Sequence, residues 1–283
     1  MGQVNVFALY NNAKAILKSS GIENYANEAG FLIEKVFKIK KSQLLIKDKL
    51  LATQEQTDEL EDLINRRKNG EPLQYILGEW EFYGLQFYVG DGVLVPRQDT
   101  ETLVDDALKR LKDLKNPVIC DLCSGSGCVA ISIAKNIKTE TVFAVEKSKK
   151  ALYYLDKNII LNNADINVVS GDVTDKETAK GIPLLDCIVS NPPYLTKNDM
   201  ENLQKEVTFE PAMALKGGDD GLYFYRMITD IWKSKIKTGG FISYEIGIGQ
   251  HKDVENILLE NGFKDIFMTK DLCGVIRVVG GYI

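Results

Sequence analysis

The sequence predicts an α/β protein with two parts, a small all-helical N-terminal domain and a seven-stranded, doubly wound, mostly parallel sheet. Two observations indicate this architecture. Strand and helix patterns alternate from Pro117 onwards, as they do in sheets that carry helices on both faces. The first 70 residues show helical patterns only, and a chain of 283 residues is long enough for two domains.

The helical domain is expected to span residues 1–72. Thr53 and Gln56 have the spacing of a capping box and predict the start of a helix. A short helix is expected at Ser42–Lys47, and the cluster Arg66–Lys68 is interpreted as the solvated last turn of a helix. Apolar residues recur at helical spacing in one stripe, Ala29, Leu32, Ile33, Val36 and Phe37.

A β-hairpin is predicted between Tyr75 and Val89, where aromatic and β-branched residues flank a Tyr83-Gly84 turn. We expect it to lie in a linker of residues 73–92 and to act as a stiff hinge between the domains. The third segment, residues 93–283, is expected to begin with a helix. The core face of that helix consists of Leu103, Val104, Ala107, Leu108 and Leu111.

Seven strands are predicted in the third segment. The last two are separated only by Asp271–Gly274, which is too short for a parallel crossover, so they should form an antiparallel hairpin at one edge of the sheet. The predicted strands are Val118–Leu122, Thr141–Val145, Ile166–Ser170, Leu185–Ser190, Gly240–Ile246, Phe263–Lys270 and Val275–Tyr282.

Composition argues against several functional classes. The net charge is −5, of which residues 1–70 contribute +2 and the remainder −7, so no basic nucleic-acid footprint is evident and no direct nucleic-acid partner is expected. No apolar run approaches the ~18 residues of a membrane span, and the N-terminus lacks the pattern of a signal peptide. The five cysteines suit reduced, buried thiols. We therefore expect a cytoplasmic protein without membrane contact.

A glycine-containing turn follows the first predicted strand of the sheet. Asp121 ends that strand, and Cys123, Ser124, Gly125, Ser126 and Gly127 lead directly into a helix. Glycines at a strand-to-helix turn allow a ligand to touch the backbone, and the helix N-terminus supplies N–H donors. Because the spacing also fits the dinucleotide fingerprint, it leaves a nicotinamide enzyme open.

Acidic residues distinguish the two kinds of ligand. A dinucleotide would bring an anionic pyrophosphate close to Asp121, whereas S-adenosylmethionine has no phosphate and carries an ammonium and a sulfonium. Glu146 ends the second strand, 25 residues after Asp121, where a carboxylate can accept from ribose hydroxyls. Asp172 and Val173 follow the third strand, near the expected adenine amino group. We therefore expect S-adenosylmethionine as the cofactor.

The tetrapeptide Asn191-Pro192-Pro193-Tyr194 follows the fourth strand, which should lie beside the first. Two prolines remove two backbone donors and force the chain out of the sheet. The Asn191 side-chain oxygen and the Pro192 carbonyl can accept both N–H groups of a planar amide or amino group, and Tyr194 can pack on that group. These residues predict methyl transfer to nitrogen.

Other catalytic arrangements find little support. Cys120 and Cys123 have no second pair at metal-ligand spacing, so no metal is expected. The single histidine, His251, follows Gly249 at the start of a helix, and no Ser/His/Asp set can be assembled with it alone.

With these residues in place, the chain resembles the HemK/PrmC family, the protein-(glutamine-N5) methyltransferases of peptide chain release factors. The resemblance extends from about Pro72 to the C-terminus. The motifs that carry it are Pro72–Gly78, Val95–Glu101, Asp121–Gly127, Asn191–Tyr194, Phe209–Leu215 and Gly217–Leu222.

The resemblance implies a class I methyltransferase domain, S-adenosylmethionine as cofactor, and the glutamine of the Gly-Gly-Gln motif in class 1 release factors as substrate. It also implies that the helical domain grips the protein substrate. Cys123 stands where the family usually has glycine, so a side chain is expected to crowd the cofactor turn. Glu146 replaces a common aspartate. Two other readings stay open: a nucleic-acid amino-group methyltransferase, in which Tyr194 stacks on a flipped base, and an inactive adaptor.

Overall fold

The computed structural model describes residues 4–44 and 50–283. The chain forms two compact units. The first contains the described residues up to Glu79 together with Lys205–Phe209, and the second contains Trp80–Gln204 and Glu210–Ile283.

Helices dominate the first unit. They are α1 (Val6–Ser19), α2 (Tyr25–Phe37), α3 (Gln54–Lys68) and α4 (Leu73–Leu77), with a 3₁₀ turn at Lys41–Gln43. The predicted stripe on α2 is buried, and the capping box of Thr53 and Gln56 is present at the start of α3. Of the helix predicted at Ser42–Lys47, residues 45–47 lie outside the described residues.

The prediction of a purely helical unit is wrong in one detail. Strand β1 (Val4–Asn5) pairs antiparallel with β2 (Leu51–Ala52). Two-residue strands are too short to show an alternating pattern in the sequence. Asn5 also caps α1, because its Oδ1 accepts from the Phe7 amide at 2.8 Å.

The sequence context predicted that Arg67 lies in the solvated last turn of a helix, and for Arg67 this prediction is wrong. It is 3% exposed, and its Nε lies 2.6 Å from Glu28 Oε2. Glu206 forms a second ion pair with the same guanidinium. The distant acids Glu28 and Glu206 therefore neutralise Arg67, and one helix pattern could not reveal them.

We expect Arg67→Met to destabilise the first unit by about 3 kcal/mol, because it leaves the largely buried Glu28 carboxylate without its partner. Hydrogen exchange of the α2 and α3 amides measures this locally. The control is Arg66→Met, whose side chain is 38% exposed and paired with Glu71, and which should cost less than about 1 kcal/mol. Equal protection of these amides from exchange in Arg67→Met and Arg66→Met would contradict a stabilising role for the ion pair of Arg67 with Glu28.

The predicted hairpin exists but begins later than expected. Its strands are β3 (Glu79–Phe82) and β4 (Leu85–Tyr88), and residues 75–77 belong to α4 instead. Tyr83 and Gly84 form the turn with φ of 52° and 71°. Phe82 and Phe87 are buried in the core of the second unit. The hinge role stays a prediction.

The second unit contains the seven-stranded sheet, as predicted. The strands are β5 (Val118–Leu122), β6 (Thr141–Glu146), β7 (Asn167–Ser170), β8 (Leu185–Ser190), β9 (Ile236–Glu245), β10 (Lys264–Lys270) and β11 (Ile276–Tyr282). Their order in the sheet is β10-β11-β9-β8-β5-β6-β7. Strand β11 runs opposite to the other six, and β10 and β11 form the expected antiparallel hairpin at one edge.

Helices cover both faces of this sheet. They are α5 (Glu101–Leu111), α6 (Cys128–Asn136), α7 (Lys149–Asn162), α8 (Lys176–Lys180), α9 (Lys197–Glu201), α10 (Tyr223–Trp232) and α11 (His251–Glu260). Successive residues of β5 enter different cores, with Ile119 on one face and Cys120 on the other. This explains why the central strands are continuous apolar runs in the sequence.

Candidate active site

The carboxyl ends of β8, β5, β6 and β7 meet at one edge of the sheet, because these strands are parallel neighbours. A cavity of about 460 Å³ opens there, within the range of small-molecule sites. The predicted site residues that line it are Asp121, Cys123, Ser124, Gly125, Ser126, Glu146, Asp172, Val173, Asn191 and Pro193.

Backbone hydrogen bonds hold the glycine turn in place. The Ser124 amide donates to the Val145 carbonyl at 3.1 Å, and the Gly127 amide donates to the Ser124 carbonyl at 2.8 Å. Gly127 has φ of 82°, and a Cβ at this position would collide with Leu155. Glycine is therefore required here both by conformation and by packing, although Gly127 itself does not line the cavity.

Cys123 occupies the left-handed region with φ of 62°, which a side chain disfavours. Cys123 lines the cavity and also packs against the core on one face of the sheet. That its side chain crowds the cofactor turn stays a prediction. Burial raises the pKa of the Cys123 thiol well above its ordinary value, and the neighbouring Glu146 and Asp121 raise it further. The thiol is therefore held neutral.

We expect Cys123→Gly to be more stable than Cys123→Ala by about 1 kcal/mol, because both delete the thiol and only glycine relieves the positive φ. Urea unfolding of the second unit measures the difference. Cys128, the first residue of α6, provides the control: there the glycine variant should be the less stable of the pair. If the glycine and alanine variants ranked in the same order of stability at Cys123 and at Cys128, the result would argue against backbone strain at Cys123.

Asp121 lies at the tip of β5 and is 1% exposed. Its Oδ2 accepts from the Ala130 amide of α6 at 3.2 Å. Burial raises the pKa of Asp121 to about 8, outweighing that hydrogen bond, and the nearby Glu146 contributes in the same direction. Among residues 4–44 and 50–283, no basic side chain forms an ion pair with Asp121, and a positively charged ligand in the cavity could provide that partner.

Glu146 is held in place by backbone amides. Its Oε2 accepts from Gly125 at 2.8 Å, and its Oε1 accepts from Lys147 and Ser148 at 2.8 and 2.6 Å. Oε2 therefore retains a further lone pair for a ligand hydroxyl, whereas the two amides occupy both lone pairs of Oε1. This carboxylate links the glycine turn to the end of β6.

Asp172 is anchored from two sides. Its Oδ1 accepts from the Thr174 amide and hydroxyl at 2.9 and 2.7 Å, and its Oδ2 lies 2.7 Å from Lys147 Nζ. Partial burial raises the pKa of Asp172, but the hydrogen bonds from Lys147 and Thr174 outweigh it and the net pKa is lowered. Asp172 is therefore an ionised acceptor beside Val173.

Asn191 lines the cavity directly after β8. Its Nδ2 donates to Thr100 Oγ1 at 3.2 Å, which leaves Oδ1 available to accept. The adjoining prolines are buried, and the backbone after them pairs with residues 215–217: Leu195 N donates to Leu215 O at 2.9 Å, and Gly217 N donates to Leu195 O at 2.8 Å. This packing immobilises the turn.

Tyr194 packs against Gly247 instead of lining the cavity. Its carbonyl accepts from Gln250 Nε2 at 3.1 Å. Burial raises the pKa of the Tyr194 hydroxyl, and Glu245 adds to the effect. The predicted packing of Tyr194 on a substrate stays a prediction.

Comparisons with known proteins identify the family of this chain. Residues 8–78 match the PrmC N-terminal domain, and residues 100–219 match the Methyltransferase small domain. The release factor glutamine methyltransferase of Thermodesulfovibrio yellowstonii is 42% identical over 256 residues, which cover 89% of this chain and 90% of that protein. This chain belongs to the release factor glutamine methyltransferase family. The Fusobacterium nucleatum member is 36% identical, covering 96% of this chain and 77% of that one.

Family membership confirms the resemblance drawn from the sequence, together with the enzyme class. Solved structures confirm the methyltransferase fold. A methyltransferase from Pyrococcus furiosus has a TM-score of 0.52 at 17% identity, covering 71% of this chain and 90% of that chain. The T. thermophilus 16S rRNA methyltransferase RsmC, solved with AdoMet and guanosine, has a TM-score of 0.51 at 16% identity. The match covers 72% of this chain and 49% of that chain.

Several residues of this family member escaped the sequence analysis. Arg97 forms an ion pair with the buried Glu210, which also accepts from the Val95 amide at 3.2 Å. This contact joins the Val95–Glu101 and Phe209–Leu215 motifs, both of which contribute to the cavity wall. The sequence offered no clear signal for this pair, because Arg97 has Asp99 and Glu101 as nearer acidic candidates within its own motif.

Metal and membrane sites receive no support from the described residues. Within 4–44 and 50–283, no group of three His, Cys, Asp or Glu side chains is arranged to hold a metal ion. Across those same ranges, none of the helices combines the length and the apolar character that crossing a bilayer requires.

Proposed function

We propose that this enzyme transfers a methyl group from S-adenosylmethionine to the side-chain amide nitrogen of the glutamine in the Gly-Gly-Gln motif of class 1 peptide chain release factors. The observation that carries the proposal is the position of Asn191, which lines the same cavity as Asp121, Glu146 and Asp172 and whose Oδ1 is left available to accept by the bond from Nδ2 to Thr100. The names of the related proteins support the choice of substrate.

The residues of the cavity suit S-adenosylmethionine. Asp121 is a buried acid that forms no ion pair within the described part of the chain, and its carboxylate can pair with an ammonium or a sulfonium. Glu146 can accept from a ribose hydroxyl through Oε2, and Asp172 with Val173 can receive the adenine amino group. Ser126 Oγ is buried and meets only the weak Cys128 thiol among the described residues, so it can serve a polar ligand group.

Asn191 and Pro192 orient the substrate amide. The Asn191 Oδ1 and the Pro192 carbonyl accept its two N–H groups and so turn the nitrogen towards the methyl donor. When bound, S-adenosylmethionine supplies a methyl group whose bond to sulfur breaks as the bond to nitrogen forms, after which the nitrogen releases one proton. The two carbonyl dipoles stabilise the positive charge that develops on nitrogen.

The partner is a protein, and the helical unit is the proposed grip on it outside the cavity. A translation factor as substrate places the reaction in the cytoplasm. Neither a membrane nor direct nucleic-acid contact is part of the proposal.

Labelling identifies the acceptor. The purified chain is incubated with methyl-labelled S-adenosylmethionine and, separately, a class 1 release factor, DNA or RNA, and the labelled position is found by peptide mass spectrometry. We expect label only on the Gly-Gly-Gln glutamine, and none on a release factor in which that glutamine is replaced by glutamate. Label on nucleic acid alone would identify an amino-group nucleic-acid methyltransferase. Label on no substrate would favour the adaptor.

A further inference from the structure

A buried carboxyl group lies at the end of β9, and the proposed chemistry does not use it. Glu245 is the last residue of β9 and is 2% exposed. Strands β8 and β9 are parallel, with Ser190 opposite Tyr244. The residues that follow this pair are Asn191, directly after β8, and Glu245, the last residue of β9, so the two residues lie at the same level of the sheet.

Thr100 connects these two side chains. It is 2% exposed at the start of α5, and its Oγ1 accepts from Asn191 Nδ2 at 3.2 Å. The same hydroxyl faces the Glu245 carboxyl and holds the pKa of that carboxyl down. In the described part of the chain, Glu245 Oε2 has no hydrogen-bond partner. A buried carboxyl with one unpartnered oxygen costs folding free energy, and a positioning role would explain its presence.

We propose that Glu245 and Thr100 are positioning residues, which orient the Asn191 amide so that its oxygen faces the substrate. A threonine hydroxyl has one hydrogen to donate, whereas an ionised carboxylate can only accept. Thr100 must then donate to Glu245 and is left with lone pairs for Asn191. Asn191 meets those lone pairs with its NH₂ group, so Oδ1 points into the cavity.

The opposite arrangement would be unproductive. If the Thr100 hydrogen were free, it could donate to Asn191 Oδ1, and the flipped amide would present its NH₂ group to the N–H groups of the substrate. Donors would then face donors. The buried acid therefore selects the Asn191 orientation that an amide substrate requires, and this argument rests on the proposed function for the identity of the substrate.

The protonation of Glu245 should matter near neutral pH. Burial raises the pKa of Glu245 to about 7, while the contact with Thr100 opposes the shift. Below that pKa the acid can itself donate to Thr100, and the direction of the relay is no longer defined. The charged and titratable groups that face Glu245 are Asp99, Arg97, Arg277, Tyr194, Tyr225 and Cys128.

Three variants of the full chain test the proposal with release factor and labelled cofactor. Thr100→Val should lower kcat by about 30-fold with the cofactor Kd changed less than about threefold, the scale of losing a group that orients a functional side chain. Thr100→Ser keeps the hydroxyl and should restore kcat. The control is Thr229→Val, which removes another buried hydroxyl, bonded to Tyr244 at 2.9 Å, and should leave kcat unchanged.

A second readout does not depend on activity. The Asn191 side-chain NH₂ resonances, assigned by their loss in Asn191→Ala, should shift with a midpoint near pH 7 in the wild type and stay constant in Glu245→Gln. The proposal would be overturned if Thr100→Val kept the wild-type kcat, or if Thr229→Val lost as much kcat as Thr100→Val. It would also be overturned if the Asn191 resonances had the same pH dependence in Glu245→Gln as in the wild type. A normal titration in an enzyme that does not methylate release factor would overturn the proposed function alone.

Discussion

Replacing Asn191 by alanine should reduce kcat for methyl transfer by about 10²–10³-fold, while the Kd for S-adenosylmethionine changes less than about tenfold. The change removes one of the two carbonyl groups that we propose to orient the substrate amide and to stabilise positive charge on its nitrogen. The cofactor contacts proposed for the acids at the ends of β5, β6 and β7 would remain. Single-turnover rates with release factor and calorimetric cofactor binding separate the two effects.

Asn136→Ala is a suitable control for that variant. Asn136 ends α6, so it lies a helix length away from the glycine turn, and its Nδ2 donates only within the helix, to Ser132 O at 2.8 Å. We expect an unchanged kcat. If the Asn191 variant retained wild-type turnover, the tetrapeptide would not be the amide-binding element.

The second large effect concerns pH. Asp121 has a pKa of about 8 in the free protein, and a cation beside it would lower that pKa, so binding releases a proton. Affinity for S-adenosylmethionine should then increase by up to about tenfold per pH unit between about pH 6 and 7.5. Asp121→Asn should bind about 100-fold more weakly near pH 8 and lose this dependence.

Calorimetry in buffers of different ionisation enthalpy measures the released proton directly. The amino group of the ligand titrates in both proteins, so the ratio of wild-type to variant affinity isolates Asp121. Asp186→Asn is the control, because Asp186 lies near the start of β8, at the opposite edge of the sheet, and bonds Lys237 at 2.7 Å. A flat wild-type profile would contradict an unpaired Asp121.

The same shift affects the stability of the free protein. Because the folded pKa of Asp121 lies above its ordinary value of 3.8, its contribution to stability is present below that value and is lost as pH rises through about 8. Cofactor binding should offset this loss, so the stabilisation by the ligand should grow towards alkaline pH.

Much of the sheet could be predicted from local pattern. The bounds of β5 and β8 agree with the prediction because both strands are apolar runs that end abruptly, β5 at the glycine turn and β8 at the prolines. Strand β9 begins at Ile236. The prediction placed its start at Gly240, because Gly239 and Gly240 resemble a turn in the sequence. In the structure they lie within the strand, where the pairing with β8 is irregular between Leu185 and Cys187.

By itself, the sequence determined the order of strands and helices, the glycine turn, the three acids at strand ends and the Asn-Pro-Pro-Tyr tetrapeptide, because each depends on residues close together in the chain. Only the tertiary structure decided which acids are buried and which side chain holds Asn191. Thr100 lies 91 residues before Asn191, and Glu245 reaches the same point from a third segment. Which side chains are buried, and which distant residues they contact, depends on tertiary packing. The local periodicity of the sequence does not report on such contacts.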